Sequence, residues 1–202
     1  MNTQSATTDQ RGITAVDGSR KALIERTALT LFVVHGVDAT TTKMIAAEAG
    51  ISEGALYYHF KNKEEIATSL FFAIHDRLAT LIRAVAMRGA TLEVKANALV
   101  DAYCTTADND WTLFQYHLLY THRFLPGPEN ADNPVQAAED IITEAIETGE
   151  LSPCDPQLVA SMTLGAVLQT ALHKVFGRLQ GPLSDHKEIL QAGVSAILKS
   201  QR

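Results

Sequence analysis

Residues 41–63 read TTKMIAAEAGISEGALYYHFKNK, and this stretch decides the fold of the first part of the chain. Thr41 or Thr42 suits the start of a short helix, because a hydroxyl oxygen accepts a hydrogen bond from a free N–H of the first turn. Gly50 suits the left-handed position that ends such a helix, and Ser52 suits the start of a second one. The pattern predicts two short helices joined by a tight turn.

The second of these helices has an inward face and an outward face. Leu56 and Phe60 are four residues apart, so they lie on one side and anchor the helix inward. Small residues let the two helices cross closely at a steep angle, and these are Ala46, Ala47, Ala49, Gly50 and Gly54. The stretch therefore predicts a helix-turn-helix over residues 42–49 and 53–59.

The outward face of the second helix suits contact with double-stranded DNA. Gly54 and Ala55 allow close approach to base edges in a major groove, and Tyr57 suits a thymine methyl group or a phosphate. Lys63 follows and favours phosphates. The candidate DNA-binding residues are Thr41, Thr42, Lys43, Ser52, Glu53, Gly54, Ala55, Tyr57, Tyr58, His59 and Lys63.

Composition bounds the class of protein. The chain has 202 residues, 46% of them hydrophobic, which excludes a fully disordered or low-complexity protein. Its net charge of −6 argues against a general nucleic-acid binder, yet residues 1–63 carry +1 and residues 64–202 carry −7. A mildly basic N-terminal segment followed by an acidic remainder is typical of a protein that contacts DNA through one small domain. The acidic remainder also favours a neutral or cationic ligand over a strongly anionic one.

The rest of the chain predicts helices without strands, so the expected fold class is all-α. The first proline is Pro126, and apolar residues recur at helical rather than alternating spacing. Residues 1–18 are polar and predict a disordered arm. The predicted helices cover residues 19–35, 42–49, 53–59, 62–88, 91–107, 111–124, 135–148, 155–179 and 184–199.

At this point the sequence resembles the TetR family of transcriptional regulators. The residues that carry the resemblance are Gly36, Thr41–Thr42, Ile45–Ala46, Ala49–Ser52 and Leu56–Lys63. The resemblance implies a homodimer with a three-helix DNA-binding domain, residues 19–63, followed by a larger helical domain, residues 64–202, that binds an effector and dimerises. It also implies repression as the usual mode, and no catalytic residue, metal or cofactor is expected.

The middle of the chain is rich in aromatic and histidine side chains. A helical bundle with many large side chains and few polar tips often leaves a mostly apolar cavity, so we expect a pocket for a small hydrophobic or aromatic effector of unknown identity. The candidate effector-binding residues are Phe72, His75, Tyr103, Trp111, Phe114, His117 and Tyr120.

The last two predicted helices are broadly apolar, which favours a two-fold, four-helix interface between two copies of the chain. Gly165 and Gly177 are expected to allow close helix approach. The candidate dimer-interface residues are Leu164, Leu168, Leu172, Val175, Leu190, Val194 and Ile197.

Several alternatives stay open. The regulator could lack a small-molecule effector, or respond to a metal or to thiol oxidation through Cys104. A further alternative is a carrier protein that retains the helix-turn-helix but does not bind DNA. An enzyme is disfavoured, because the sequence has no His-Glu-x-x-His, G-x-S-x-G or P-loop motif. Only two cysteines and a polar start without an apolar signal segment favour a cytoplasmic protein with no membrane partner.

Overall fold

The structure is a computed structural model that describes residues 18–87, 90–125 and 133–202. In these residues the chain forms nine α-helices, one 3-10 turn and no strand, which confirms the predicted all-α fold. The helices are α1 (Arg20–His35), α2 (Thr42–Glu48), α3 (Glu53–His59), α4 (Lys63–Ala86), α5 (Leu92–Asn109), α6 (Trp111–Phe124), α7 (Pro134–Glu147), α8 (Pro156–Val175) and α9 (Lys187–Lys199). The 3-10 turn, Leu183–His186, directly precedes α9.

The chain divides into two compact units, Met1–Ala67 and Thr68–Arg202. Helix α4 begins in the first unit and continues in the second. The sequence places the boundary between residues 63 and 64, at the start of the same helix. The predicted arm, residues 1–18, lies outside the described residues except for Gly18.

The first unit has a core built from one apolar face of each of its short helices. Its buried side chains include Ile24, Ala28, Leu29, Phe32, Val37, Ile45, Ala46, Leu56, Phe60 and Ile66. Leu56 and Phe60 are thus the inward anchors that their spacing predicts. His35, the last residue of α1, is exposed, whereas Leu29 is buried.

Helix α4 begins with two capping hydrogen bonds. The backbone N–H of Glu65 donates to Asn62 Oδ1 over 2.8 Å, and the Glu65 carboxylate accepts from the backbone N–H of Lys61. Each bond satisfies an N–H group at or before the first turn, and the acidic residues of that turn suit its positive end.

Helix α5 is the centre of the second unit and packs against α6, α7 and α9. Lys95 of α5, which is 5% exposed, pairs with Glu144 of α7 at 2.8 Å. The Asp108 carboxylate accepts from the backbone N–H groups of Leu183 and Ser184 at the start of the 3-10 turn. Burial alone would raise the pKa of Asp108, but the hydrogen bonds from Ser184 and Leu183 outweigh it and lower the pKa.

Helix α8 ends earlier than the sequence predicts. Gly177 has φ +70°, and the backbone N–H of Arg178 donates to the carbonyl of His173 over 2.9 Å. This is the hydrogen bond of a glycine-terminated helix end. The expectation that Gly177 lies inside a helix and allows close helix approach is therefore wrong, and Leu179 follows the helix instead of extending its apolar face.

Candidate nucleic-acid interface and cavity

Two hydroxyl caps start the two short helices of the helix-turn-helix. Thr41 Oγ1 accepts from the backbone N–H of Met44 over 3.2 Å, so Thr41 rather than Thr42 caps α2. Ser52 Oγ accepts from the backbone N–H of Ala55 over 3.2 Å and caps α3. Both are candidate DNA-binding residues, and both have side chains that also hold the geometry of the domain.

The turn between the helices depends on one glycine. Gly50 has φ +66°, in the left-handed region that favours glycine. The backbone N–H of Ile51 then donates to the carbonyl of Ala46 over 3.0 Å, and that of Gly50 to the carbonyl of Ala47 over 3.2 Å. These two bonds close the end of α2 and direct the chain into α3.

Helices α2 and α3 are joined by a bond between side chains. Thr42 Oγ1 lies 3.1 Å from the hydroxyl oxygen of Tyr57, within hydrogen-bond distance. Tyr57 nevertheless remains 51% exposed. The bond fixes an aromatic ring on the outward face of α3, where the sequence predicts a DNA contact.

The rest of the outward face of α3 combines one projecting ring with small or short groups. Tyr58 is 86% exposed, and its ring meets the His59 ring edge-on at 5.1 Å between centroids. A Cβ added at Gly54 would meet only Ser52 Oγ, at 3.9 Å. Glu53 is exposed and Ala55 is half-buried, and Lys43 of the neighbouring helix α2 is exposed as well. The outward face of α3 is thus accessible to a partner, including a helix-sized groove.

Lys63 is held inside the domain. Its ammonium group donates to the carbonyls of Val37 and Asp38, each over 2.8 Å, and to that of Thr40 over 3.0 Å. These three bonds use its three N–H donors and fix the loop before α2. The charge of Lys63, a predicted phosphate contact, thus already has partners in this chain.

The second unit contains a cavity of about 160 Å³. Three of the candidate effector-binding residues, His75, Tyr103 and His117, line it. The other lining residues are Leu78, Leu81, Ile82, Leu92, Ala96, Leu99, Val100, Thr121, Leu125, Pro134, Val135, Ala138, Ile141, Ile142, Thr163, Leu164, Val167, Leu168, Val194 and Leu198. The wall is therefore mainly aliphatic.

The remaining four candidates lie outside the cavity wall, and these are Phe72, Trp111, Phe114 and Tyr120. Phe114 is buried and its ring meets the ring of Tyr103 edge-on, with 4.6 Å between the centroids. Phe114 therefore contacts a residue of the cavity wall without lining the cavity itself. Some wall residues outside the candidate set follow helical spacing from the candidates that line the cavity. Leu78 lies three residues after His75, and Thr121 lies four after His117. The wall residues of α7 had no comparable sequence signal.

Two buried histidines, His75 and His117, contribute polar groups to the cavity wall. His75 Nδ1 lies 3.2 Å from His117 Nε2, and the Phe71 ring stacks on both imidazoles. Burial, and to a smaller extent the neighbouring His75, lowers the pKa of His117 to about 3. His117 is thus uncharged at neutral pH.

The candidate dimer-interface residues fall into three groups. Leu164, Leu168 and Val194 line the cavity, and Leu190 is buried in the core of the unit. Leu172, Val175 and Ile197 are half-buried. Other apolar residues at this end of the chain are exposed, and these are Leu158, Met162, Phe176 and Ile189.

Neither metal nor thiol chemistry has a strong site here. In the described part of the chain, no three His, Cys, Asp or Glu side chains lie together in a group that could hold a metal ion. Cys104 is buried, and burial, with smaller effects from Asp108 and Asp101, raises the pKa of its thiol to about 11. A protonated thiol in that position is a poor redox sensor.

Helix α8 is the described helix that could cross a membrane by length and composition, with a mean hydropathy of 1.2 over a window that is 22% buried. The core helices of helical bundles can share that length and composition.

Residues 24–70 match the family described as "Bacterial regulatory proteins, tetR family". The chain is 24% identical over 164 residues, 72% of its length, to the uncharacterized HTH-type transcriptional regulator YhgD of Bacillus subtilis, covering 78% of that protein. It is 36% identical over 83 residues, 41% of its length, to the HTH-type transcriptional repressor KstR2 of Rhodococcus jostii, covering 40% of that protein.

A solved structure shares the fold across both units. The transcriptional regulator FadR of Bacillus subtilis, in complex with stearoyl-CoA, superposes with a TM-score of 0.68 at 19% identity. The match covers 89% of this chain and 98% of FadR. The family match over residues 24–70 and the hydroxyl-capped geometry of α2 and α3 together show that the chain carries the helix-turn-helix domain of the TetR family of transcriptional regulators.

Proposed function

We propose that this regulator binds a near-palindromic operator as a dimer, represses transcription, and is released by a small, mostly apolar effector. The observation that carries the proposal is the outward face of α3, where the Thr42 hydroxyl holds Tyr57 in place beside exposed Tyr58. Two neighbouring exposed aromatic rings on a helix of small residues are suited to contact with a partner, and a major groove accommodates such a helix.

A single helix-turn-helix makes few phosphate contacts, so specific binding favours two helix-turn-helix domains, one from each copy of the chain, on one duplex. Domains related by two-fold symmetry read half-sites about 34–36 Å apart, or a multiple of that distance. Exposed apolar residues of α8, of the position directly after it and of α9 support pairing between the second units of two copies. Leu158 and Phe176 are 57% and 60% exposed, and Ile189 is 77% exposed. A second copy covering these side chains would remove them from water.

The cavity supports control by a ligand. Helix α4 begins in the DNA-binding unit and contributes His75, Leu78 and Ile82 to the cavity wall of the second unit. A ligand that prefers one position of this helix shifts the population of DNA-binding dimers. A coupling of about 1–3 kcal/mol would weaken the operator complex roughly 5–150-fold. Repression is the mode named for the related KstR2 protein, and it is proposed here on that likeness.

The test is selection from random duplex DNA. The purified protein is incubated with a random-sequence duplex library at low salt, and bound DNA is recovered and sequenced. Enrichment of a two-fold symmetric motif is the expected result. Tyr57→Ala should lose the motif, whereas Val94→Ala, which alters an exposed residue of the second unit, should retain it. No enrichment with the wild-type protein would overturn the proposal.

A further inference from the structure

We infer that the cavity takes an uncharged ligand with a compact apolar body and one hydroxyl or carbonyl oxygen, held by Tyr103 and His117. This inference deepens the effector part of the proposed function and rests on it. The cavity wall has few polar side chains, and these are His75, Tyr103, His117, Thr121 and Thr163.

Most polar groups of the wall already have partners. The Thr121 hydroxyl donates to the carbonyl of His117 over 2.8 Å. The Thr163 hydroxyl lies within 3.0 Å of two carbonyls of its own helix, those of Val159 and Ala160. His75 Nδ1 is paired with His117 Nε2. None of these atoms needs a ligand.

Two polar atoms of the wall are different. The hydroxyl of Tyr103 and Nδ1 of His117 are both buried and have no hydrogen-bond partner among the residues that the structure describes. His117 as a whole is only 6% exposed. Buried polar atoms are normally paired, so each such atom calls for an explanation. Both atoms belong to residues of one cavity wall, and a single ligand oxygen that bonds to both would satisfy them together.

The charge of the ligand follows from the same wall. Among the lining residues that belong to the described part of the chain there is no Lys, Arg, Asp or Glu. A carboxylate would leave water without gaining a cation, and an ammonium group would find no carboxylate. His117 does not supply the missing positive charge, because burial keeps it neutral. The two free atoms are thus suited to a neutral oxygen.

Size sets the body of the ligand. A cavity of about 150 Å³ lined by aliphatic and aromatic side chains holds benzene, and this cavity is of similar volume, about 160 Å³. A substituted phenol or a short ketone fits the combination of volume, aliphatic wall and few polar groups.

The experiment compares three molecules of similar size: 4-methylphenol, toluene and the anion 4-methylbenzoate. Binding to the full-length protein without DNA is followed by NMR titration. We expect 4-methylphenol to bind roughly 3- to 10-fold more tightly than toluene, since one or two hydrogen bonds are gained. We expect 4-methylbenzoate to bind more weakly than either.

Tyr103→Phe removes only the hydroxyl and should abolish the preference for 4-methylphenol over toluene. Tyr120→Phe is the matched control, because Tyr120 is on α6 but outside the cavity wall, and it should keep the preference. Thermal unfolding of each variant checks folding, and the wild-type ranking tests the inference without any variant.

This inference would be overturned if 4-methylbenzoate bound more tightly than 4-methylphenol or toluene. It would also be overturned if Tyr103→Phe kept the preference for 4-methylphenol over toluene. Either result would leave an effector cavity in place. Absence of binding by all three molecules would overturn this inference together with the effector part of the proposed function. None of these results would affect the proposed DNA binding, which the duplex selection tests separately.

Discussion

The hydroxyl oxygens of Thr42 and Tyr57 lie 3.1 Å apart and connect the first turn of α2 to the outward face of α3. The two residues are fifteen positions apart in sequence, and both are candidate DNA contacts. The bond means that neither side chain acts alone. Tyr57 presents its ring in one orientation because Thr42 restrains the hydroxyl at its tip.

This bond predicts energetic coupling between Thr42 and Tyr57. Thr42→Val and Tyr57→Phe should each lower the free energy of unfolding by about 0.5–1 kcal/mol, a small value because the bond is exposed. The double variant should lose less than the sum, since either change alone breaks the bond. Urea denaturation of the four proteins measures the coupling. Tyr58→Phe, at a mostly exposed neighbouring ring, is the control and should change stability little.

Lys63 and Lys43 should respond differently to loss of charge. Lys63→Met removes an ammonium group that donates to three carbonyls, so we expect the free energy of unfolding to fall by about 2 kcal/mol or more. Lys43 is exposed, so Lys43→Met should leave stability nearly unchanged and lower the salt slope of DNA binding by about one. Denaturation and salt titrations measure the two effects. Unchanged stability in Lys63→Met would contradict the structural role of its three bonds.

His117 predicts a loss of stability in mild acid. Its folded pKa, about 3, lies below the ordinary value of 6.5, so between these values the unfolded chain binds a proton that the folded chain does not. The contribution is fully present above pH 6.5 and falls by up to about 1.4 kcal/mol per pH unit below it. Unfolding free energies at pH 7.5, 6 and 5 measure the slope. His117→Leu should flatten it, whereas His122→Leu, at an exposed histidine of the same helix, should not.

The proposed dimer predicts a position-specific effect of charge. Ile189→Glu places a carboxylate on the exposed apolar surface of α9 and should shift the protein toward monomers in sedimentation velocity experiments. Val94→Glu introduces the same group at another exposed apolar position, on α5, and should leave the oligomeric state unchanged. If the two variants had the same fraction of monomer, the exposed surface of α9 would not be the dimer interface.

The helix-turn-helix was predictable because its determinants are local. The Thr41 and Ser52 hydroxyls, the left-handed Gly50 and the paired anchors Leu56 and Phe60 all act within a few residues of their own helix. Lys63 shows the limit of such reasoning. Its three carbonyl acceptors lie 23 to 26 residues away, so only the fold shows that its charge is already engaged.

The cavity was predictable only in part. His75, Tyr103 and His117 stood out because large side chains with polar tips are distinctive in an apolar helix. Aliphatic wall residues look like ordinary core residues in sequence. Leu164 and Val194 fitted an apolar stripe equally well for an interface or a cavity, and only the packing of α8 and α9 shows that they face the cavity.

The central claim is that the α3 face recognises a specific DNA sequence, and an affinity ratio tests it most directly. Fluorescence anisotropy at one fixed salt concentration gives the Kd of the protein for the selected duplex and for a shuffled duplex of the same composition. We expect the selected duplex to bind at least about 1,000-fold more tightly, and Tyr57→Ala to remove most of this ratio. Equal affinity for the two duplexes would contradict the central claim.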